Sequence, residues 1–149
     1  MGLKDLFLSK EKRVKRSHIK NLLALAYSDG KFDDSEYNLI LQIAERNYMT
    51  QQEVQDVLSN PSHIPFSIPE TQQEQFNNLT DLVLLMLVDG DVDQRELNFC
   101  KTIAMKMGYR VEVINLLLVN ILKDNFERSK SEALLNLLDY SGLDDLDNL

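Results

Sequence analysis

The chain has 149 residues, 44% of them hydrophobic and 27% charged, and a net charge of −8. At this length a single domain buries roughly 68–70% of the surface its unfolded chain exposes, so one packed core is expected. Its one cysteine, Cys100, excludes an internal disulfide framework and suits a reducing compartment. Its longest apolar run, Leu82 to Val88, is far short of the roughly twenty residues a membrane-spanning helix needs, so a cytoplasmic protein is expected.

Charge is unevenly placed along the chain. Residues 1–20 hold seven basic and two acidic side chains, a local +5 that leaves −13 for the rest, and everything after Lys130 is acidic or neutral. Lys10, Lys12, Arg13, Lys15 and Arg16 are candidates for contact with an anionic partner or with the inner membrane surface. No aromatic residues are interleaved with them, so nucleic acid is not an expected partner. Leu3, Leu6 and Phe7 ahead of the basic arm would let it lie on anionic lipid as an amphipathic anchor. The competing expectation is a first helix packed on the body with its lysines exposed. His18, in this arm, and His63, in a proline-rich loop, are expected to be solvated.

Ile19, Leu22, Leu23, Ala26 and Tyr27 follow the i, i+3, i+4, i+7, i+8 spacing of one helix face, and this helix should end at Asp29-Gly30. Gly30 reads as a cap in the left-handed conformation. Asp33, with Glu36 three residues on, opens a second helix in the manner of a capping box, and Leu39, Ile40, Ile43 and Ala44 carry its apolar stripe. Thr50 with Glu53 opens a third, anchored by Val54, Val57 and Leu58. Pro61, Pro65 and Pro69 then mark a connector where no helix persists. Leu82 to Val88 is apolar all round, as expected of a helix buried on every side between two halves. Gly90, Asp93 and Glu96 repeat the cap and box ahead of a helix striped by Cys100, Ile103, Ala104 and Met107, with Cys100 as a buried filler. A helix after Gly108 bears Ile114, Leu117 and Leu118, and a last amphipathic one bears Leu134, Leu137 and Leu138. No segment alternates as a strand would.

The second half of this series repeats the first. SDGKFDDSEYN, Ser28 to Asn38, returns sixty residues later as VDGDVDQRELN, Val88 to Asn98, and the same offset pairs Leu22 with Leu82, Ile43 with Ile103, Ala44 with Ala104 and Leu58 with Leu118. The expected fold is all-α: a single domain over 1–149 of about seven to eight helices, built from two pseudo-symmetric helical-hairpin repeats. The repeats span about 17–59 and 71–124, the connector 60–70, and the C-terminal helix with its acidic tail 128–149.

Asp29, Gly30, Phe32, Asp33 and Glu36, and likewise Asp89, Gly90, Val92, Asp93 and Glu96, fit the later positions of a calcium-binding EF-hand loop. The first and third positions, which must supply oxygen, hold Leu25 and Tyr27 in one copy and Leu85 and Leu87 in the other, so neither loop is an EF-hand. The paired ALAYSDGKFDDSEYN and LLMLVDGDVDQRELN segments instead resemble the TerB-like family, over about residues 15–125. That family is associated with tellurite resistance and is also found as a domain of membrane-linked co-chaperones. The resemblance implies an all-helical fold, a stress-related assembly with protein partners, and a divalent-metal site of Asp29, Asp33, Glu36, Asp89, Asp93 and Glu96. Six hard oxygen donors would favour Ca²⁺ or Mg²⁺ over zinc or copper. The competing reading is that these carboxylates only cap helices, each stabilising by roughly 0.3–1 kcal/mol at a positive N-terminus.

No catalytic grouping stands out. There is no His-Pro-Asp tripeptide of a J domain, no phosphate-cradling glycine loop, and no nucleophile with a base held on rigid helices. A non-enzymatic binding module is therefore expected, with a peripheral membrane or scaffold protein as the alternative.

Overall fold

The computed structural model describes residues 3–28, 30–88, 90 and 92–124. The chain divides into two compact units, Met1–Ile114 and Asn115–Leu149. Among the described residues all regular structure is helical: α1 (Leu3–Tyr27), α2 (Asp34–Arg46), α3 (Gln51–Ser59), a 3₁₀ turn (Pro61–His63), α4 (Gln72–Met86) and α5 (Gln94–Lys106). A further helix, α6, opens at residue 112 and continues through residue 124. None is long and apolar enough to cross a membrane. The last amphipathic segment expected from the sequence, with Leu134, Leu137 and Leu138, lies outside the described residues.

α1 is the central element of the first unit, packing most extensively on α4 and also against α2, α3 and α5. Its 25 residues absorb the whole basic arm. Lysine, arginine, glutamate and leucine are all good helix formers, and Glu11 with Lys15 forms an i,i+4 ion pair at 3.3 Å. Ile19, Leu22, Leu23 and Ala26 are buried as their spacing requires, joined by Leu25; Tyr27 is instead 48% exposed, because α1 ends there and its ring stacks on Phe32 at 4.5 Å. In α4, Leu82, Val83, Leu85 and Met86 are buried but Leu84 is 39% exposed, so this helix keeps one face toward solvent and is not enclosed on every side.

The two bends are built alike. Gly30 and Gly90 have φ of 80° and 87°, a backbone shape that glycine adopts without steric conflict. Each is followed by an aspartate N-cap. Asp33 accepts from the Glu36 backbone N–H at 2.9 Å, whereas Asp93 accepts from that of Arg95 at 2.7 Å, one residue earlier than the expected box. The reciprocal capping box forms at α3, where Thr50 Oγ1 accepts from Glu53 N–H at 3.1 Å and Glu53 Oε1 accepts from Thr50 N–H at 3.2 Å. Beyond the bends, Ile40 and Cys100 are fully buried, as are Val54 and Ile114, each pair sixty residues apart.

The proline-rich connector is tied down along α1. Lys20 Nζ donates to the Ile64 carbonyl at 2.7 Å, the Ser67 N–H donates to Ser17 Oγ at 2.9 Å, and Lys10 pairs with Glu70. Backbone groups that no helix can satisfy here thus find side-chain partners.

Candidate functional site

Where α1, α4 and the end of α2 meet, three charged or polar side chains converge below the surface. Asp81, on α4, is 2% exposed, and its Oδ2 accepts from His18 Nε2 at 2.8 Å and from Arg46 Nη2 at 2.5 Å. Burial by itself pushes the Asp81 carboxyl up, but the hydrogen bonds and positive charge of His18 and Arg46 outweigh it and hold the group below the ordinary 3.8. An ionised carboxylate only accepts, so Nε2 is the donor of this bond. His18 Nδ1 is buried and has no hydrogen-bond partner among the described residues.

His18 is therefore not solvated as expected. It is 4% exposed, on the inner face of α1 between Ser17 and Ile19, which are also buried. Asp81 was not among the expected site residues. The one signal for it in the sequence is a carboxylate set inside the apolar segment Leu79 to Val88.

Above this triad opens a groove of about 450 Å³ whose lining includes His18, Arg46, Asn47, Lys15, Asn77 and Asn78. Lys10 and Lys15, expected on an exposed basic arm, line it as well, and their ammonium groups pair with Glu70 and Glu11. Lys12, Arg13 and Arg16 are exposed on α1. At the rim, Lys15 Nζ lies 5.7 Å from the centroid of the Tyr48 ring.

The acidic bends are occupied with capping. Ser35 Oγ also donates to Asp33 Oδ1, at 2.8 Å, and these bonds, the Glu36 backbone N–H first, hold the Asp33 carboxyl below its ordinary value. Asp93 is held low by the Arg95 side chain and then its backbone N–H. Glu36 and Glu96 are each only 4% exposed. Asp29 and Asp89 lie outside the described residues. Among the described residues no three His, Cys, Asp or Glu side chains gather closely enough to hold a metal ion.

Cys100 is fully buried, as the sequence suggested, and burial, with the Glu96 charge behind it, pushes its thiol up to about 12. It is thus protonated and inert near neutral pH. No protein-family model, curated protein or solved structure matches this chain.

Proposed function

We propose that the chain is a non-enzymatic helical binding module of TerB-like type, assembled from two helical-hairpin repeats and using the groove over His18, Asp81 and Arg46 as its recognition surface. The observation that carries this reading is the triad itself. Its imidazole is locked by Asp81 on one nitrogen and buried on the other, so it supports a fixed, shaped surface and not proton exchange with a substrate. The inert Cys100 supports the same view. A role in stress-related, tellurite-resistance-like assemblies rests on the sequence resemblance. To test the reading, the full chain is immobilised, exposed to lysate, and its bound proteins are cross-linked and mapped. A stoichiometric partner cross-linked to Met1–Ile114 is expected; chemical turnover of a substrate, or no stoichiometric partner, overturns it.

A second reading, a Ca²⁺ or Mg²⁺ site joining the two acidic bends, is favoured by one observation: Glu36 and Glu96 are equally withdrawn from water at positions sixty residues apart. Calorimetric titration with CaCl₂ and MgCl₂ tests it. Saturable heat abolished by Glu36→Gln with Glu96→Gln is expected, and no heat, or the same heat from that variant, removes the cation.

A further inference from the structure

α6 is apolar on two sides. Ile114 is fully buried, and Leu117, Leu118 and Ile121, on the same side of the helix, are half-buried. The opposite side carries Leu116, Val119 and Leu122, one every third residue, and these are 64%, 60% and 48% exposed. A helix that is apolar all round is ordinarily buried all round, so this outer side calls for a cover. The first repeat shows what water selects at the same places. Sixty residues earlier stand Asp56, Ser59 and Ser62, all polar and exposed, while Val54 is buried as Ile114 is. α3 also stops at Ser59, before Pro61, whereas α6 runs on through residue 124 with Ile121 at the place of that proline. The two copies of this helix thus share an inner face and differ in the outer one, polar in the first repeat and apolar in the second.

The residues of the outer face form a self-complementary set. Glu112, Leu116, Val119 and Lys123 follow the alternating four- and three-residue spacing of one helical stripe, with Asn115 and Asn120 flanking it, and all six are exposed. Against a second α6 running the opposite way, Glu112 falls opposite Lys123, Leu116 opposite Val119, and Asn115 opposite Asn120. A twofold axis then repeats every pair. Unlike charges close both ends, apolar side chains meet in the middle, and the flanking amides can donate to and accept from each other. A parallel pair would set Glu112 on Glu112 and Lys123 on Lys123, so charge selects the antiparallel one. Among the described residues neither Glu112 nor Lys123 is engaged in an ion pair.

We infer that α6 is a self-association surface, through which two copies of the chain join as an antiparallel, twofold-symmetric helix pair with Leu116 and Val119 at its centre. The inference rests on α6 alone and is independent of the groove over His18, Asp81 and Arg46. One short helix offers less than the about 800 Å² per partner of a standard interface, so the dimer is a weak one, with a Kd on the order of 100 µM.

Sedimentation equilibrium of the full chain, from about 10 µM to about 1 mM at low ionic strength, tests it. The weight-average mass should climb from the 17.2 kDa of the monomer toward twice that value. Leu116→Asp should hold the chain monomeric throughout. Glu112→Lys, which sets lysine against lysine at both ends, and Lys123→Glu, which sets glutamate against glutamate, should each weaken pairing about fivefold or more. The double variant restores opposite charges and should recover wild-type pairing, and the two single variants mixed should pair with each other better than either does with itself. Circular dichroism checks that each variant keeps its helix content. A chain still monomeric at about 1 mM overturns the inference, whether residues 128–149 or a different protein covers the outer face. Self-association indifferent to the charge reversals, or not recovered in the double variant, overturns it as well, because the copies then meet elsewhere.

Discussion

His18 Nε2 and Asp81 Oδ2 meet at 2.8 Å across the packing of α1 on α4, with both side chains at least 95% withdrawn from solvent. The bond joins residues 63 apart in sequence, and Arg46 adds α2 to the same oxygen. Three helices are thereby fixed in register through one carboxylate. Asp81→Ala leaves the His18 N–H buried without an acceptor, whereas Arg46, half-exposed, regains water. The expected loss is about 1–3 kcal/mol, the desolvation penalty of an unsatisfied buried donor. Urea unfolding followed by circular dichroism measures it, and an unchanged midpoint would mean that the triad holds nothing together.

The same carboxylate gives stability an acid limb. Unfolded, Asp81 titrates near its ordinary 3.8; folded, it is held lower by His18 and Arg46. Its contribution is therefore complete above 3.8 and disappears as pH falls through the lower folded value, because the unfolded chain takes up the proton first. Wild type and Asp81→Asn should differ most in urea midpoint near neutral pH and converge as pH falls below 3.8 through the lowered folded value. A difference independent of pH would assign the triad's effect to packing alone.

Much of the helical framework was readable from residue spacing, because burial on a helix imposes a period and bends impose glycine. Leu22 and Leu82, matched by the sixty-residue offset, are both fully buried. Each Leu→Ala replacement should cost about 2–5 kcal/mol, and similar losses at the two positions, read by chemical unfolding, would give the two hairpins equal mechanical weight. The site was far less legible. His18 carries no local mark that separates it from the basic residues around it, and its partner lies on another helix. A contact across 63 residues leaves no periodic trace, and the solitary Asp81 within an apolar segment could only have been flagged as a buried charge in need of a partner. The acidic bends drew attention by their repetition; Asp33 and Asp93 both serve as helix N-caps, and spacing alone could not tell that use from ligation.

Helix entry offers a sharper check on local causes. Thr50 and Glu53 satisfy each other's backbone donors at the start of α3, whose nine residues are too few to hold a helix without tertiary support. Thr50→Ala removes one acceptor and should cost about 0.5–2 kcal/mol, whereas Thr50→Ser should be nearly neutral. Amide hydrogen exchange at Glu53 would localise the effect, since that N–H is the donor Thr50 holds. Equal exchange in wild type and Thr50→Ala would show the cap to be dispensable.

The turn after α2 isolates the cost of a backbone conformation from that of packing. At φ of 60° Tyr48 carries a left-handed backbone penalty of about 1–2 kcal/mol, and Tyr48→Gly relieves it while adding about 0.5–1 kcal/mol of unfolded-chain entropy. The net expectation is a variant as stable as wild type or up to about 1 kcal/mol more stable. Gly108→Ala is the mirror experiment: no atom stands within 4 Å of an added Cβ, so its expected loss of about 1–2 kcal/mol comes from the φ of 92° and not from a clash. Thermal unfolding of both variants decides the matter. Should Tyr48→Gly prove clearly destabilising, the ring must contribute to folding despite its exposure.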